Sequence, residues 1–168
     1  TQLRFALGNS VNLPAVKMLA RVGIKDVMQT AYEMGIVNWE ATEENMANVG
    51  LSLVLGGRET SLLSIVTAYG VFANNGIRQD PIAILKVTNT KGDTLYEYKK
   101  KEGRQVLSEE ISFLISHILL DNVARTFAFG PNSYLVVPGK TVSVKTGTTD
   151  EKRDNWTIGY TGSYTVGV

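Results

Sequence analysis

The sequence contains no cysteine. Disulfides and thiolate metal sites are thereby excluded, and no redox compartment is selected. Histidine is almost as scarce: His117 is the single one in 168 residues. It lies beside Ile115 and Ile118 in a helical pattern and reads as a helix-surface or core-edge residue. A Ser-His-Asp triad would require it, yet no nucleophile elbow accompanies it. No metal site is expected, and the acids Asp150, Glu151 and Asp154 read as a solvated hairpin turn. Neither sign of charge dominates, with a net charge of +1, so the basic stripe of a nucleic-acid-binding surface is missing. Lys99, Lys100 and Lys101 form the one basic run and read as a solvated hairpin end. No apolar run approaches the ~18 residues of a membrane span. Pro138-Gly139-Lys140-Thr141 resembles the end of a phosphate loop, but Tyr134 stands where that loop needs glycine, so no nucleotide cofactor is expected. One further absence matters more. None of the ten serines is followed three residues later by lysine.

What is present describes a folded domain. Apolar residues make up 43% and charged residues 20%. A chain of this length buries about 70% of its unfolded surface. It begins inside a helical pattern and stops inside a strand pattern, which predicts a piece of a longer protein, with 1–168 forming a partial domain.

Residues 1–9 predict the last turns of a helix, stopped by Gly8 and Asn9. Asn12 is the expected N-cap of the next helix, whose apolar face is Leu13, Val16, Leu19 and Ala20. A third helix carries Ile24, Val27, Met28, Ala31 and Met34, and Gly35 stops it. Residues 38–48 read as a loop. Thr60 is the expected cap of a long helix running to Asn75-Gly76. Strands are expected over 82–88 and 94–98, joined by a hairpin. Ser108 caps a helix expected to bury Ile111, Leu114, Ile115, Ile118 and Leu119. Residues 127–138 read as a loop, and strands are expected near 142–148, 156–161 and 164–168. Helices first and antiparallel strands afterwards predict an α+β fold.

Two motifs carry chemistry. Lys145-Thr146-Gly147 ends a β-branched strand ahead of a polar turn and an aromatic strand. Lysine supplies a positive charge at a strand end. Thr146 and Thr148, two residues apart, offer hydroxyls on one face, a set suited to a carboxylate. Gly147 admits close approach of a ligand to the backbone. Far upstream, Ser10-Val11-Asn12 stands between two helices. Lys-Thr-Gly and Ser-x-Asn are two of the three signatures of penicillin-recognising serine enzymes; the third, Ser-x-x-Lys, carries the nucleophile.

With LRFALGNSVNLPAVKML, LVLGGRETSLLSIVTAYGVFANNG and VKTGTTDEKRDNWTIGYT, most of the chain resembles the C-terminal part of the transpeptidase domain of a class A (bifunctional) penicillin-binding protein. Gly162 departs from the pattern, where proline is expected after Tyr-Thr. The resemblance implies a helical subdomain packed on an antiparallel sheet, of the penicillin-binding-protein and serine β-lactamase kind. It would be truncated, without the nucleophile helix and N-terminal strands, leaving an exposed sheet edge. It implies acyl transfer through a serine on the D-Ala-D-Ala end of a peptidoglycan stem peptide, with β-lactams as inhibitors. The implied catalytic residues are Ser10 as proton relay, Asn12 as hydrogen-bond partner of the donor amide or the catalytic lysine, and Lys145 as positive potential and relay. Thr146, Gly147 and Thr148 are the implied substrate-binding residues, the Thr148 N–H being half of an oxyanion hole. A membrane-anchored, extracytoplasmic bacterial parent with a glycosyltransferase domain is implied as well. A non-catalytic relative that binds wall peptides, or a β-lactamase or D,D-carboxypeptidase of the same superfamily, remains open.

Overall fold

A computed structural model describes residues 2–149 and 153–168. Five helices build its first half: α1 (Leu3–Gly8), α2 (Asn12–Val22), α3 (Ile24–Met34), α4 (Glu43–Met46) and α5 (Leu62–Ala73). Short 3-10 turns at Val37–Trp39 and Leu51–Leu55 sit between α3 and α5. Then come β1 (Ile77–Arg78), β2 (Lys86–Thr88), β3 (Thr94–Glu97), β4 (Arg104–Gln105), α6 (Glu109–Leu120) and α7 (Thr126–Phe129). The chain closes with β5 (Ser143–Thr148), β6 (Asn155–Tyr160) and β7 (Thr165–Gly167). The α+β expectation holds.

Several boundaries differ from the sequence reading. Asn12 is the first helical residue of α2 and Val11 the cap, so the Asn12 side chain caps nothing. Ser61, rather than Thr60, caps α5, its hydroxyl accepting from the Ser64 N–H. The expected loop at 38–48 contains α4, capped by Thr42, and the loop at 127–138 overlaps α7. The strand expected over 82–88 narrows to three residues. The two-residue pairing of β1 with β4 had no local signal.

The C-terminal sheet has the order β5-β6-β7. Short turns join its strands, which dictates antiparallel pairing. Its register runs unbroken from Ser143 opposite Tyr160 to Thr148 opposite Asn155. α5 packs on β6 and β7, and α6 on β5. Gly167 lets α5 approach closely, since a Cβ there would collide with Val66 and Ile158. Tyr69, Phe72 and Tyr160 pack ring to ring between α5 and the sheet, with edge contacts at 5.8 and 6.1 Å. Among the described residues no other strand covers the outer edges of β5 and β7. No helix among them is long and apolar enough to cross a membrane.

Two apolar clusters hold the helical part. Leu19, Met28 and Leu53 form one; Met34, Ile36, Ala68 and Val71 form the other, and Trp39 touches both. Met28 is fully buried. Met28→Ala is therefore expected to destabilise the fold by about 2–5 kcal/mol, read as a lower denaturant midpoint at unchanged slope.

α6 corrects the expected core. Ile111 and Leu114 are exposed, while Ser112, Ile118 and Leu119 are buried. The inward face carries hydroxyls because they are satisfied there. Ser112 donates to the Ser108 carbonyl, and Ser116 bonds the Tyr160 hydroxyl at 2.9 Å.

Candidate active site

Ser10 occupies the turn between α1 and α2, with φ of 57°, a left-handed conformation that non-glycine residues rarely adopt. The turn is held from outside. The Asn9 side chain donates to the Ala124 carbonyl at 2.6 Å and accepts from the Ala128 N–H at 2.8 Å. Arg4 adds an ion pair to Asp121 at 2.9 Å and reaches the ring of His117. His117 therefore serves the joint between α1 and α6, away from the cleft. The Val11 N–H closes the turn on the Ala6 carbonyl at 2.9 Å.

Lys145 comes from β5. The Thr149 N–H donates to the Asp154 carbonyl, bonding inward toward the partner strand. Antiparallel alternation then turns the backbone groups of Thr148, Thr146 and Val144 to the free edge of β5. Two contacts agree: the Lys145 Nζ donates to the Thr146 carbonyl at 2.6 Å, and Arg125 donates to the Val144 carbonyl at 3.4 Å. The Lys145 ammonium also donates to the Ser10 hydroxyl. Residues 135 positions apart are thus joined.

Ser10, Asn12, Lys145, Thr146, Gly147 and Thr148 all line one cavity of about 800 Å³. The structure brings all six named site residues to this cleft; Ser10 and Lys145 touch, and Asn12 lies exposed on its rim. A Cβ on Gly147 would meet nothing within 4 Å, so the strand opens directly onto empty space there. Thr149, Asp154 and Trp156 from the hairpin, Tyr69 from α5, Trp39, and Arg58 with Glu59 and Thr60 complete the polar and aromatic lining. These were not assigned to a site from sequence. For Asp154 the signal was its place in the hairpin; for Tyr69, Arg58 and Glu59 nothing local marked them. Asp150 and Glu151 lie outside the described residues.

Burial pushes Lys145 below the ordinary lysine range, and the neighbouring charge of Arg125 lowers it further. Burial pushes the Tyr69 hydroxyl up to about 12, so it remains protonated in the cleft wall at any physiological pH. The arrangement is a lysine disposed to exchange a proton with a serine hydroxyl, beside an edge strand with free hydroxyls and an outward N–H. A carboxylate or a developing oxyanion fits it. The residues present include no cluster of metal-ligating side chains, among those described.

The chain thus combines an α+β fold with a lysine–serine pair beside the free edge of a strand. The chain belongs to the penicillin-binding protein transpeptidase domain family, whose profile matches residues 1–167. It is 31% identical over 99% of its length to penicillin-binding protein 1A of Aquifex aeolicus, of which it spans 21%. It is 33% identical over 97% of its length to penicillin-binding protein 4 of Bacillus subtilis, of which it spans 25%. The chain thus spans about a fifth to a quarter of the relatives it matches. The fold agrees with the penicillin-binding protein PonA1 from Mycobacterium tuberculosis, with a TM-score of 0.81 at 20% identity over 99% of this chain and 46% of that one. The same protein in complex with penicillin V gives a TM-score of 0.80 at 21% identity, again covering 99% of this chain and 46% of that one.

Proposed function

We propose that this chain is part of a peptidoglycan D,D-transpeptidase that cross-links stem peptides through an acyl-serine intermediate and is trapped by β-lactams. The observation that carries the reading is the Lys145–Ser10 contact, which no local feature of either segment requires. In this reading a serine and lysine of a Ser-x-x-Lys segment elsewhere in the full-length protein enter the cleft. Ser10 relays the proton between that serine and the leaving or incoming amine, and Lys145 holds Ser10 in place and shares its proton. Asn12 bonds the donor amide or the catalytic lysine. Thr146 and Thr148 take the terminal carboxylate, Gly147 admits the peptide, and the Thr148 N–H points at the oxyanion.

The acyl step is balanced within the peptide. The serine oxygen forms an ester to the penultimate D-alanine carbonyl, the peptide C–N bond breaks, and the departing D-alanine nitrogen takes the relayed proton. An amine of a second stem then attacks the ester and releases the serine. The reading carries an extracytoplasmic location, a membrane anchor and a glycosyltransferase domain for the bacterial parent.

Incubating the full-length protein with labelled penicillin, followed by peptide mapping, tests it. One stoichiometric adduct on a Ser-x-x-Lys serine is expected, together with cross-linked product from stem peptides. An intact cleft with no adduct would point to a non-catalytic peptide binder. Rapid release of hydrolysed penicillin or free D-alanine without cross-links would point to a β-lactamase or carboxypeptidase.

A further inference from the structure

Arg125 is the one buried charged side chain among the described residues, 3% exposed. Its guanidinium donates to the Leu119 carbonyl in the last turn of α6 at 2.7 Å and to the Val144 carbonyl of β5 at 3.4 Å. No carboxylate lies within ion-pair distance of it among those described. A buried cation satisfied by backbone oxygens is an expensive way to join a helix to a strand, since an apolar pair would fill the same space without desolvating a charge.

Its placement gives the charge a use. The outward carbonyls of Val144 and Thr146 are successive on one strand edge, about 7 Å apart along the strand. Arg125 holds the first and the Lys145 ammonium the second. The segment that carries Arg125 also grips the other half of the cleft, because Ala124 and Ala128 on either side of it clamp Asn9, next to Ser10. One short stretch thereby sets both members of the Lys145–Ser10 pair.

We infer that Arg125 is a positioning residue for Lys145: it fixes the edge of β5 at Val144, the residue before Lys145, and sets a second cation on the same strand edge, so that the ammonium is held on Ser10. The inference deepens the transpeptidase reading and rests on it for its catalytic meaning. The other charged or titratable groups facing this part of the cleft are Tyr69 from α5, Arg58 and Glu59 ahead of it, and Asp154 just before β6; on the far side Asp121, paired with Arg4 at the end of α6, acts on Arg125 through its charge. Among the described groups near Lys145, Arg125 is the one whose charge acts on it, in the same direction as burial.

The test measures the proton affinity of Lys145 directly, by competitive acetylation against pH in the full-length protein, read by mass spectrometry of the Lys145 peptide beside a free lysine standard. Wild type, Arg125→Met, Arg125→Gln and Arg125→Lys are compared, with thermal unfolding as the control for folding. The Lys145 midpoint is expected below the standard in wild type. It should rise toward the standard in the two neutral variants and stay near wild type in Arg125→Lys. A merely structural tie would lower the melting temperature and leave the midpoint unmoved, which overturns the inference. If both neutral variants fail to fold, a wild-type midpoint equal to the standard, or a shifted one in Arg125→Lys, overturns it instead. The labelling needs no turnover. A midpoint that moves as expected in a protein that never acylates with penicillin would sink the transpeptidase reading alone.

Discussion

Lys145→Ala in the full-length protein is expected to slow acylation by a β-lactam by about 100- to 1,000-fold, or about 2.7–4 kcal/mol. The size discriminates between roles. Loss of one ordinary hydrogen bond to Ser10 is worth only about 0.5–1.5 kcal/mol, roughly tenfold at most. The larger figure requires Lys145 to act on charge that develops during the reaction, through the Ser10 hydroxyl it touches. Stability should move the other way. Burial lowers the lysine's affinity for its proton in the fold, so the unfolded chain binds that proton more tightly. The resulting penalty is fully present below the depressed value and is relieved as pH rises from there toward the unfolded lysine value. Removing the ammonium lifts the penalty at neutral pH. The variant should therefore lose acylation while its melting temperature holds or rises, after allowance for the packing lost with the lysine stem. Unchanged acylation kinetics would refute the role assigned to Lys145. A parallel collapse of both quantities would make it a structural residue.

The parts of this molecule visible in its sequence are those governed by local periodicity. α2 and α3 each bury one stripe and end at Gly23 and Gly35, both at positive φ, where the sequence marks the stop without reference to the rest of the fold. The hairpin of β5 and β6 was equally plain, because alternation and a polar turn fix its register. α6 shows where such reasoning fails. Ile111, Phe113, Leu114, Ile115, Ile118 and Leu119 surround the helix, so hydrophobicity selects no face. The inward side is chosen by partners across the fold: Ser116 meets Tyr160, and the Ser143 hydroxyl donates to the Ser116 carbonyl at 2.8 Å. The cleft divides in the same way. Lys145, Thr146, Gly147 and Thr148 were legible as a chemical set on one strand, and Ser10 and Asn12 as a pair on one turn. That the two sets share a cavity came only through family resemblance, since no local rule spans 135 residues. The left-handed φ of Ser10 has no signal in its residue type, and Asn9, which makes the turn possible by its grip on Ala124 and Ala128, reads locally as a mere helix stop. Arg125 was invisible for the same reason. A solitary arginine in an irregular stretch is ordinarily a surface residue, and only the tertiary fold buries it.

The 168-residue chain by itself is expected to form no stable adduct with penicillin, an all-or-none contrast with one adduct per full-length protein. Ser10 is the serine that most deserves suspicion, because among the described residues it alone of the ten serines has a lysine ammonium within hydrogen-bonding contact in the cleft. Three features argue against it as a nucleophile. First, it accepts a hydrogen bond from that ammonium, which withdraws electron density from the oxygen; a nucleophilic serine instead donates to a base. Second, its backbone is held at positive φ by the Asn9 clamp, so it has little freedom to swing toward a bound carbonyl. Third, in the proposed reading the Thr148 N–H is only half of the oxyanion hole, and the other half comes with the Ser-x-x-Lys segment. One donor fewer costs about 100- to 1,000-fold in rate, on top of the missing activation of the serine. Incubation with a labelled β-lactam and denaturing intact-mass analysis decides the matter. An unmodified mass for the chain beside a modified one for the full-length protein is the expected pair. A stoichiometric adduct on Ser10 would make it the nucleophile, with Lys145 as its base, and would overturn the relay assigned to both.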